Sequence, residues 1–381
     1  MEPIYLDNAA TTRIADDALA LMTEVMRSAY GNPSSQHPQG AAARAHLDTA
    51  RARMLAALGD GGAQPAGDIL WTSGCSESNA LAVLGTARTH AGALVISTFE
   101  HPAVGTLADR LAADGREVVR IAPGRDGVLD PDEVAAAAAR AGVVSIVAVQ
   151  NEIGVVQPIA AIVAAVRAAG STAHVHVDAA QAVGKIPLDV RALRVDSLAV
   201  AGHKLHGPKG TGALWLRTGA AIEPLWVGGG QQHGLRGGTQ DAAGAAALGL
   251  AAERAIAALP GARARWLELA AHAVAALAGR ATQLVPDVRR APHILALAVP
   301  GVSAGALRNI LSSRGVYVST GSACSERGSK ASTVLAAIGL PETAGMVRLS
   351  FGLDTTAGEV ERAVAVLRDA IDASTATGTP S

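Results

Sequence analysis

Residues 175–212 read VHVDAAQAVGKIPLDVRALRVDSLAVAGHKLHGPKGTG. Two short apolar runs organise this stretch, His174–Asp178 (HVHVD) and Ser197–Ala201 (SLAVA). Asp178 closes the first, and Lys204 follows the second. Short β-like runs also stand at Asp68–Thr72 (DILWT), Ala93–Ser97 (ALVIS), Glu117–Ile121 (EVVRI), Val143–Val149 (VVSIVAV) and Gly212–Leu216 (GALWL). Stretches with helical period, such as Ser78–His90, Val104–Asp114 and Ala160–Ala169, separate most of them. This alternation predicts an α/β fold with a mainly parallel sheet covered on both faces. Such sheets bind ligands at the carboxyl ends of their strands. Asp178 and Lys204 both fall there.

Beyond a long Ala-rich helix at Asp241–Leu259 the pattern changes to a smaller α+β unit. It comprises a helix at Ala262–Leu277, a strand at His293–Val299, a helix at Gly305–Arg314, strands at Val316–Ser319 and Val347–Phe351, and a last helix at Ala357–Ala373. A length of 381 residues suits about two domains. Apolar residues make up 49% and charged residues 17%, which excludes bulk disorder. Net charge is −1, so no general electrostatic footprint for nucleic acid or an anionic membrane exists. Two cysteines, Cys75 and Cys324, cannot make a disulfide framework. The start, MEPIYLDNAATT, lacks the basic and apolar regions of a signal peptide, and the Ala-rich segments are broken by Arg, Asp and Gly short of the about 20 residues of a membrane span. The expectation is a cytoplasmic protein.

Five segments carry chemistry. A lysine at a sheet's carboxyl edge can form a Schiff base with an aldehyde cofactor, and an aspartate there can hold a protonated pyridine nitrogen. The bland alternative makes Asp178 a helix cap and Lys204 a surface residue. In WTSGCSESN (Trp71–Asn79) a strand runs through a Gly turn into a helix start, where backbone N–H groups and Ser73 and Ser76 suit a phosphate, or where serines simply cap the helix. Cys75 reads there as a small packed residue. In FEHPAV, His101 can lie over a ring or shuttle protons, or be an ordinary loop histidine. Asn151 and Gln181 can bond a cofactor hydroxyl or form turns. Cys324 sits in the polar, glycine-bearing run VSTGSACSERGSK, the setting of a thiol on a loop rather than in a core. Arg348 in MVRLSFG offers a fork for a carboxylate or a surface ion pair.

Taken together, IYLDNAATT (Ile4–Thr12), GNPSSQH (Gly31–His37), WTSGCSESN, FEHPAV, QNEIGVVQP (Gln150–Pro158), VDAAQAVGK, GHKLHGPKGTGAL, GGGQQHGLRGGT (Gly228–Thr239), STGSACS and VRLSFG stand in one order over nearly the whole chain. In this it resembles the pyridoxal-phosphate-dependent cysteine desulfurases, the NifS/IscS-like group of the class V aminotransferases. The resemblance implies a PLP-dependent transferase fold of the aspartate aminotransferase type (fold type I). A large cofactor-binding domain would span 13–257, and 1–12 with 258–381 would form a small domain carrying the cysteine loop.

It also implies roles. Lys204 would carry pyridoxal 5'-phosphate and move the substrate's α-proton. Asp178 would pair with the ring nitrogen, Gln181 with the ring hydroxyl, and His101 would stack on the ring. Ser76 and His203 would hold the phosphate beside Cys75, with Thr239 reaching in from the second subunit of a homodimer. Asn32, Asn151 and Arg348 would bind the substrate. Cys324 would take the sulfur of L-cysteine as a persulfide and pass it to an acceptor protein. Iron–sulfur assembly, thiolation of tRNA or cofactors, and sulfur modification of DNA are all destinations consistent with the family. An aminotransferase or selenocysteine lyase on the same fold, and a sulfur carrier without catalysis, are the competing readings. The presence of Cys324, Lys204 and Asp178 argues against the first and last. The chain departs from the family pattern at Ser76 (usually Thr), Cys75 (usually Ala) and Ala201 (usually Ser), the last removing one phosphate hydrogen bond. SERGSKASTVL after Cys324 also lacks the common Glu-Pro.

Overall fold

The computed structural model describes residues 2–320, 333–339 and 345–376. Cys324 lies outside the described residues. The elements in chain order are β1 (Ile4–Tyr5), α1 (Asp16–Ser28), α2 (Pro38–Ala57), β2 (Gly67–Thr72), α3 (Cys75–Thr89), β3 (Ala93–Ser97), α4 (Pro102–Ala113), β4 (Val118–Ile121), α5 (Pro131–Ala138), β5 (Ala141–Val147), α6 (Ile159–Ala168), β6 (His174–Asp178), α7 (Val190–Leu193), β7 (Ser197–Ala201) and β8 (Gly212–Arg217). They continue as α8 (Ala242–Ala276), β9 (Thr282–Gln283), β10 (Ile294–Val299), α9 (Ala304–Ser313), β11 (Val316–Tyr317), α10 (Thr333–Ala337), β12 (Gly345–Ser350) and α11 (Ala357–Ala376).

Seven strands form the central sheet in the order β2-β8-β7-β6-β5-β3-β4. All are parallel except β8, which runs against both neighbours. Strands β3, β5, β6 and β7 are buried almost throughout, which explains their unbroken apolar reading. The order reverses between β3 and β5: β4 lies outside β3, and β5 returns to its other side. A crevice opens at such a point, outside the strand ends. Strand β5 is shifted two residues from the expected 143–149, because Val149 leaves the ladder to bridge Val156.

The largest core lies on one face of the central sheet, with Val95, Ile146, Val177, Leu198 and Trp215, and two smaller clusters, around Leu81 and Leu214 and around Ile96 and Val104, cover the other face. A second core packs Leu6, Trp266, Leu295, Phe351 and Leu367 around the antiparallel sheet β12-β10-β9. Strand β1 pairs with β11, so the N-terminal segment joins the second core.

Periodicity does not mark α1, α2, α5, α7, α10, β1 or β9. It also divides α8 wrongly. The two helices expected at 241–259 and 262–277 are one helix, running through Pro260. Proline costs a helix interior about 3 kcal/mol. Here it sits on the exposed face, while Leu259, Ala262 and Trp266 are buried beside it. The packed side holds the helix together. The expected domain boundary at 257 falls inside this helix. Helix α8 also has the length and hydropathy of a membrane span, contrary to the sequence reading, but 67% of its apolar window is buried against α1, α2 and the second core.

Candidate active site

The strand ends converge on a cleft of about 520 Å³. Its phosphate-sized end is the turn from β2 into α3. Gly74 caps the helix, and the first turn carries Cys75, Ser76 and Glu77. The first N–H groups of any helix lack intrahelical partners, and the helix dipole adds positive potential there. Glu77 braces the turn by accepting the Ser73 N–H at 2.6 Å and pairing with Arg236 at 2.8 Å. A side chain at Gly212 would stand 2.5 Å from the Gly74 Cα, so β8 reaches this turn only as glycine.

Asp178 lies at the end of β6, and Lys204 closes a single 3₁₀ turn after β7. Both line the cleft with Ser76, Cys75, His101 and His203. The 3₁₀ turn is clamped from the N-terminal segment. Thr12 donates its N–H and its hydroxyl to the His203 carbonyl, and Thr11 Oγ1 lies 3.1 Å from His203 Nδ1.

Burial lowers the pKa of each base lining the cleft. Burial lowers the Lys204 pKa, Asp178 and Cys75 oppose this, and Arg348 adds to it. Burial, with Lys204 and Lys209 nearby, brings His203 down to about 4. Burial also lowers His101. His101 Nδ1 accepts the Ala103 N–H at 3.1 Å as the cap of α4. Its neutral ring therefore carries the proton on Nε2. Burial pushes the Cys75 thiol well up, with Asp178 adding to the shift, so it stays a thiol. Its Sγ donates to Asp178 Oδ1 at 3.4 Å, as does the Ala180 N–H at 3.0 Å.

Other expected residues lie elsewhere. Gln181 is buried against the Ala9 carbonyl (2.7 Å) and His293 (3.2 Å), leaving one amide hydrogen for a ring hydroxyl. Thr239 is exposed in an adjoining cleft of about 210 Å³, which shares Ser73 and Gly210 with the first. Asn32 is exposed, its Oδ1 accepting the Ser34 N–H in a tight turn. Arg348 is buried, with its fork on Asp7 (2.5 Å) and the Asn151 carbonyl (2.6 Å). The surface ion pair weighed for it is thus a buried one, and Asn151 meets it through its backbone. Its Nε has no hydrogen-bond partner among the described residues. Sequence reasoning missed Asn79, whose Nδ2 donates to Asp178 Oδ2 at 2.6 Å. Its signal was present: Asn79 is one helical turn from Cys75, on the same face.

A phosphate-bearing pyridine aldehyde fits this donor set. The cleft combines a helix N-terminus and hydroxyl for a phosphate, an amine whose protonated form burial disfavours, and a carboxylate for a ring N–H. The comparisons agree. The sequence model "Aminotransferase class-V" matches residues 4–363. A cysteine desulfurase of Cereibacter sphaeroides is 38% identical over 347 residues, covering 90% of this chain and 88% of that one. The solved structure of a NifS-like protein superposes with a TM-score of 0.89 at 33% identity, covering 96% of this chain and 98% of the other. Another, SspA in complex with cysteine, gives 0.81 at 31%, covering 91% and 98%. Lys204, Asp178 and the start of α3 thus sit on a scaffold matched along nearly its full length, and the chain belongs to the class-V aminotransferase family.

Proposed function

We propose that this chain acts as a cysteine desulfurase, converting L-cysteine to L-alanine and leaving the sulfur as a persulfide on Cys324. The observation that carries the reading is the meeting of Lys204, Asp178 and the start of α3 in one cleft. Pyridoxal phosphate would be held by Lys204, by Asp178 at its ring nitrogen, by Gln181 at its hydroxyl, and by Ser76, His203 and the α3 N-terminus at its phosphate. Bound there, it supplies an electron sink beside the substrate α-carbon.

The protein supplies position and proton transfer. Lys204 Nζ, whose pKa burial lowers, takes the α-proton and returns one to carbon. The His101 Nε2–H faces the cleft as a second proton carrier. Arg348 and Asn151, with Asn32, orient the substrate carboxylate, for which the unpartnered Nε of Arg348 is one donor. The Cys324 thiolate then bonds to the substrate sulfur as the C–S bond breaks, so that cysteine plus thiol becomes alanine plus persulfide. An acceptor protein takes the terminal sulfur for iron–sulfur or other thio-cofactor synthesis. The working unit is a homodimer in the cytoplasm, with Thr239 completing the partner's phosphate site. Residues 13–257 would form the large domain and 1–12 with 258–381 the small one, a division that the separate cluster around Trp266, Leu295 and Phe351 supports and that Ala9, Ile294 and Met346, packed into the large core, blur.

Borohydride reduction of the pyridoxal phosphate-loaded chain, followed by peptide mapping, should label Lys204. Cys324→Ala should keep the cofactor's visible-violet absorbance and lose sulfur release from L-cysteine. Label on Lys185 or Lys209, or full sulfur release by Cys324→Ala, would overturn the reading.

A further inference from the structure

Behind Asp178 a run of buried side chains crosses the sheet. Asn79 Nδ2 donates to Asp178 Oδ2 at 2.6 Å, and Asn79 Oδ1 lies 2.9 Å from His176 Nε2. His176 Nδ1 lies 2.8 Å from Ser197 Oγ, which lies 2.7 Å from His174 Nε2. None of these residues is more than 3% exposed. The sheet dictates the arrangement. The alternation HVHVD sets 174, 176 and 178 on one face of β6, the register pairs His176 with Ser197, and α3 covers that face and carries Asn79.

The acceptor-only carboxylate and the neutrality of two buried imidazoles together orient the hydrogens in the run. A carboxylate only accepts, so Asn79 must turn its Nδ2 to Asp178 and its Oδ1 to His176. His176 Nε2 must then carry a hydrogen. Burial brings His176 down to about 3, so the ring is neutral and Nδ1 is an acceptor. Ser197 therefore gives its hydroxyl hydrogen to Nδ1, and its oxygen accepts from the Nε2–H of His174, which burial also keeps neutral at about 4. All four donors point one way, toward Asp178. The opposite order would set the Asn79 carbonyl against the carboxylate.

We propose that Asn79, His176, Ser197 and His174 form a one-directional hydrogen-bond array that positions Asp178 for the cofactor's ring nitrogen. Its members are positioning residues: of the four, only Asn79 borders the cleft, and His174 borders instead a second cleft at the opposite edge of the sheet. Without the array the Asp178 side chain would keep only the Ala180 N–H and the weak Cys75 donor on Oδ1. Aligned dipoles reinforce one another in a low dielectric, and their positive ends converge on the Asp178 carboxylate, holding it oriented to accept the ring N–H. The proposal rests on the pairing of Asp178 with that ring; the placement of the hydrogens does not.

Neutron diffraction from the full chain tests the array directly. Deuterium is expected on Nε2 of both His174 and His176, and on Ser197 Oγ directed at His176. Deuterium on His176 Nδ1 would overturn it. The second test is the dissociation constant for pyridoxal phosphate. His176→Gln retains a donor for Asn79 and should bind within about threefold of wild type. His176→Phe removes it, strands the buried Asn79 carbonyl and frees that amide to turn from Asp178, so binding should be roughly tenfold weaker, the usual effect of leaving a buried acceptor unpaired. Should the Phe variant not fold, Ser197→Ala takes its place, with the same direction expected. Equal affinity of a folded Phe or Ala variant and the wild type would overturn the positioning role. A wild-type chain that takes up no pyridoxal phosphate would instead overturn the proposed function, leaving the hydrogen positions as found.

Discussion

Glu100, immediately before His101, should make the protein less stable as pH rises through neutrality. Its Oε1 accepts the Ser97 hydroxyl at 2.5 Å and the Val147 N–H at 3.0 Å, which ties β3 to β5 at the crevice. Its Oε2 is buried without a hydrogen-bond partner among the described residues. Burial, with the Asp178 charge adding to it, raises its pKa from 4.5 to about 8. The unfolded chain therefore releases this proton above 4.5, while the folded chain keeps it until about 8. Stability from this group is full at low pH and is lost between those values as pH rises, at about 1.4 kcal/mol per pH unit. Between pH 6 and pH 8, allowing for flattening as the folded group titrates, the loss is about 2 kcal/mol. Glu100→Gln keeps the acceptor and cannot ionise. Urea unfolding of both proteins, followed by tryptophan fluorescence, should show the Gln variant gaining about 2 kcal/mol on wild type from pH 6 to pH 8. Taking the difference cancels other groups, including Lys185, which burial brings down to about 7. A gap between the two proteins that does not change with pH would refute the reasoning.

Two further outcomes are expected. Arg348→Lys replaces a fork that spans Asp7 and the Asn151 carbonyl with a point charge, so the KM for L-cysteine should rise about tenfold with a smaller change in kcat, measured by alanine formation. His174, lowered from 6.5 to about 4, is neutral in the fold; its contribution is complete above 6.5 and is lost as pH falls toward 4. His174→Gln should therefore gain about 1 kcal/mol on wild type between pH 7 and pH 5.5, measured by the same unfolding assay.

The elements legible in the sequence are those whose burial is complete or whose chemistry ends a strand. ALVIS, HVHVD and SLAVA sit in the sheet with the expected bounds, because a strand covered on both faces must be apolar whatever its neighbours are. Asp178 and Lys204 follow from the same logic, since residues just past parallel strands must meet at one edge. Helix α2 is different. Its sequence, PQGAAARAHLDTARARMLAA, buries Ala43, Leu47, Ala50 and Met54 against α8. Alanine and the arginine stems give that face too little contrast with the exposed one for a period to show. The state of Arg348 is hidden for another reason: Asp7, which holds it, is 341 residues away.

The polar residues behind Asp178 stand between these cases. A histidine buried in a strand must find a hydrogen-bond partner, because leaving it unpaired costs more than the strand gains from it. HVHVD places three polar side chains in succession on one face, so the element covering that face must offer polar groups at matching positions. WTSGCSESN contains them, at the start of the helix: Asn79 is 1% exposed and Ser78 0%. What local pattern could not supply is that α3 covers β6, a pairing set by strand order. Once the crossover between β3 and β5 is known, α3 lies over β6 and β7, and Asn79 is the residue of its first two turns that reaches both His176 and Asp178. The site residues facing the cleft are thus written as strand ends. Those that fix them are written as polar letters inside apolar runs, readable only in pairs.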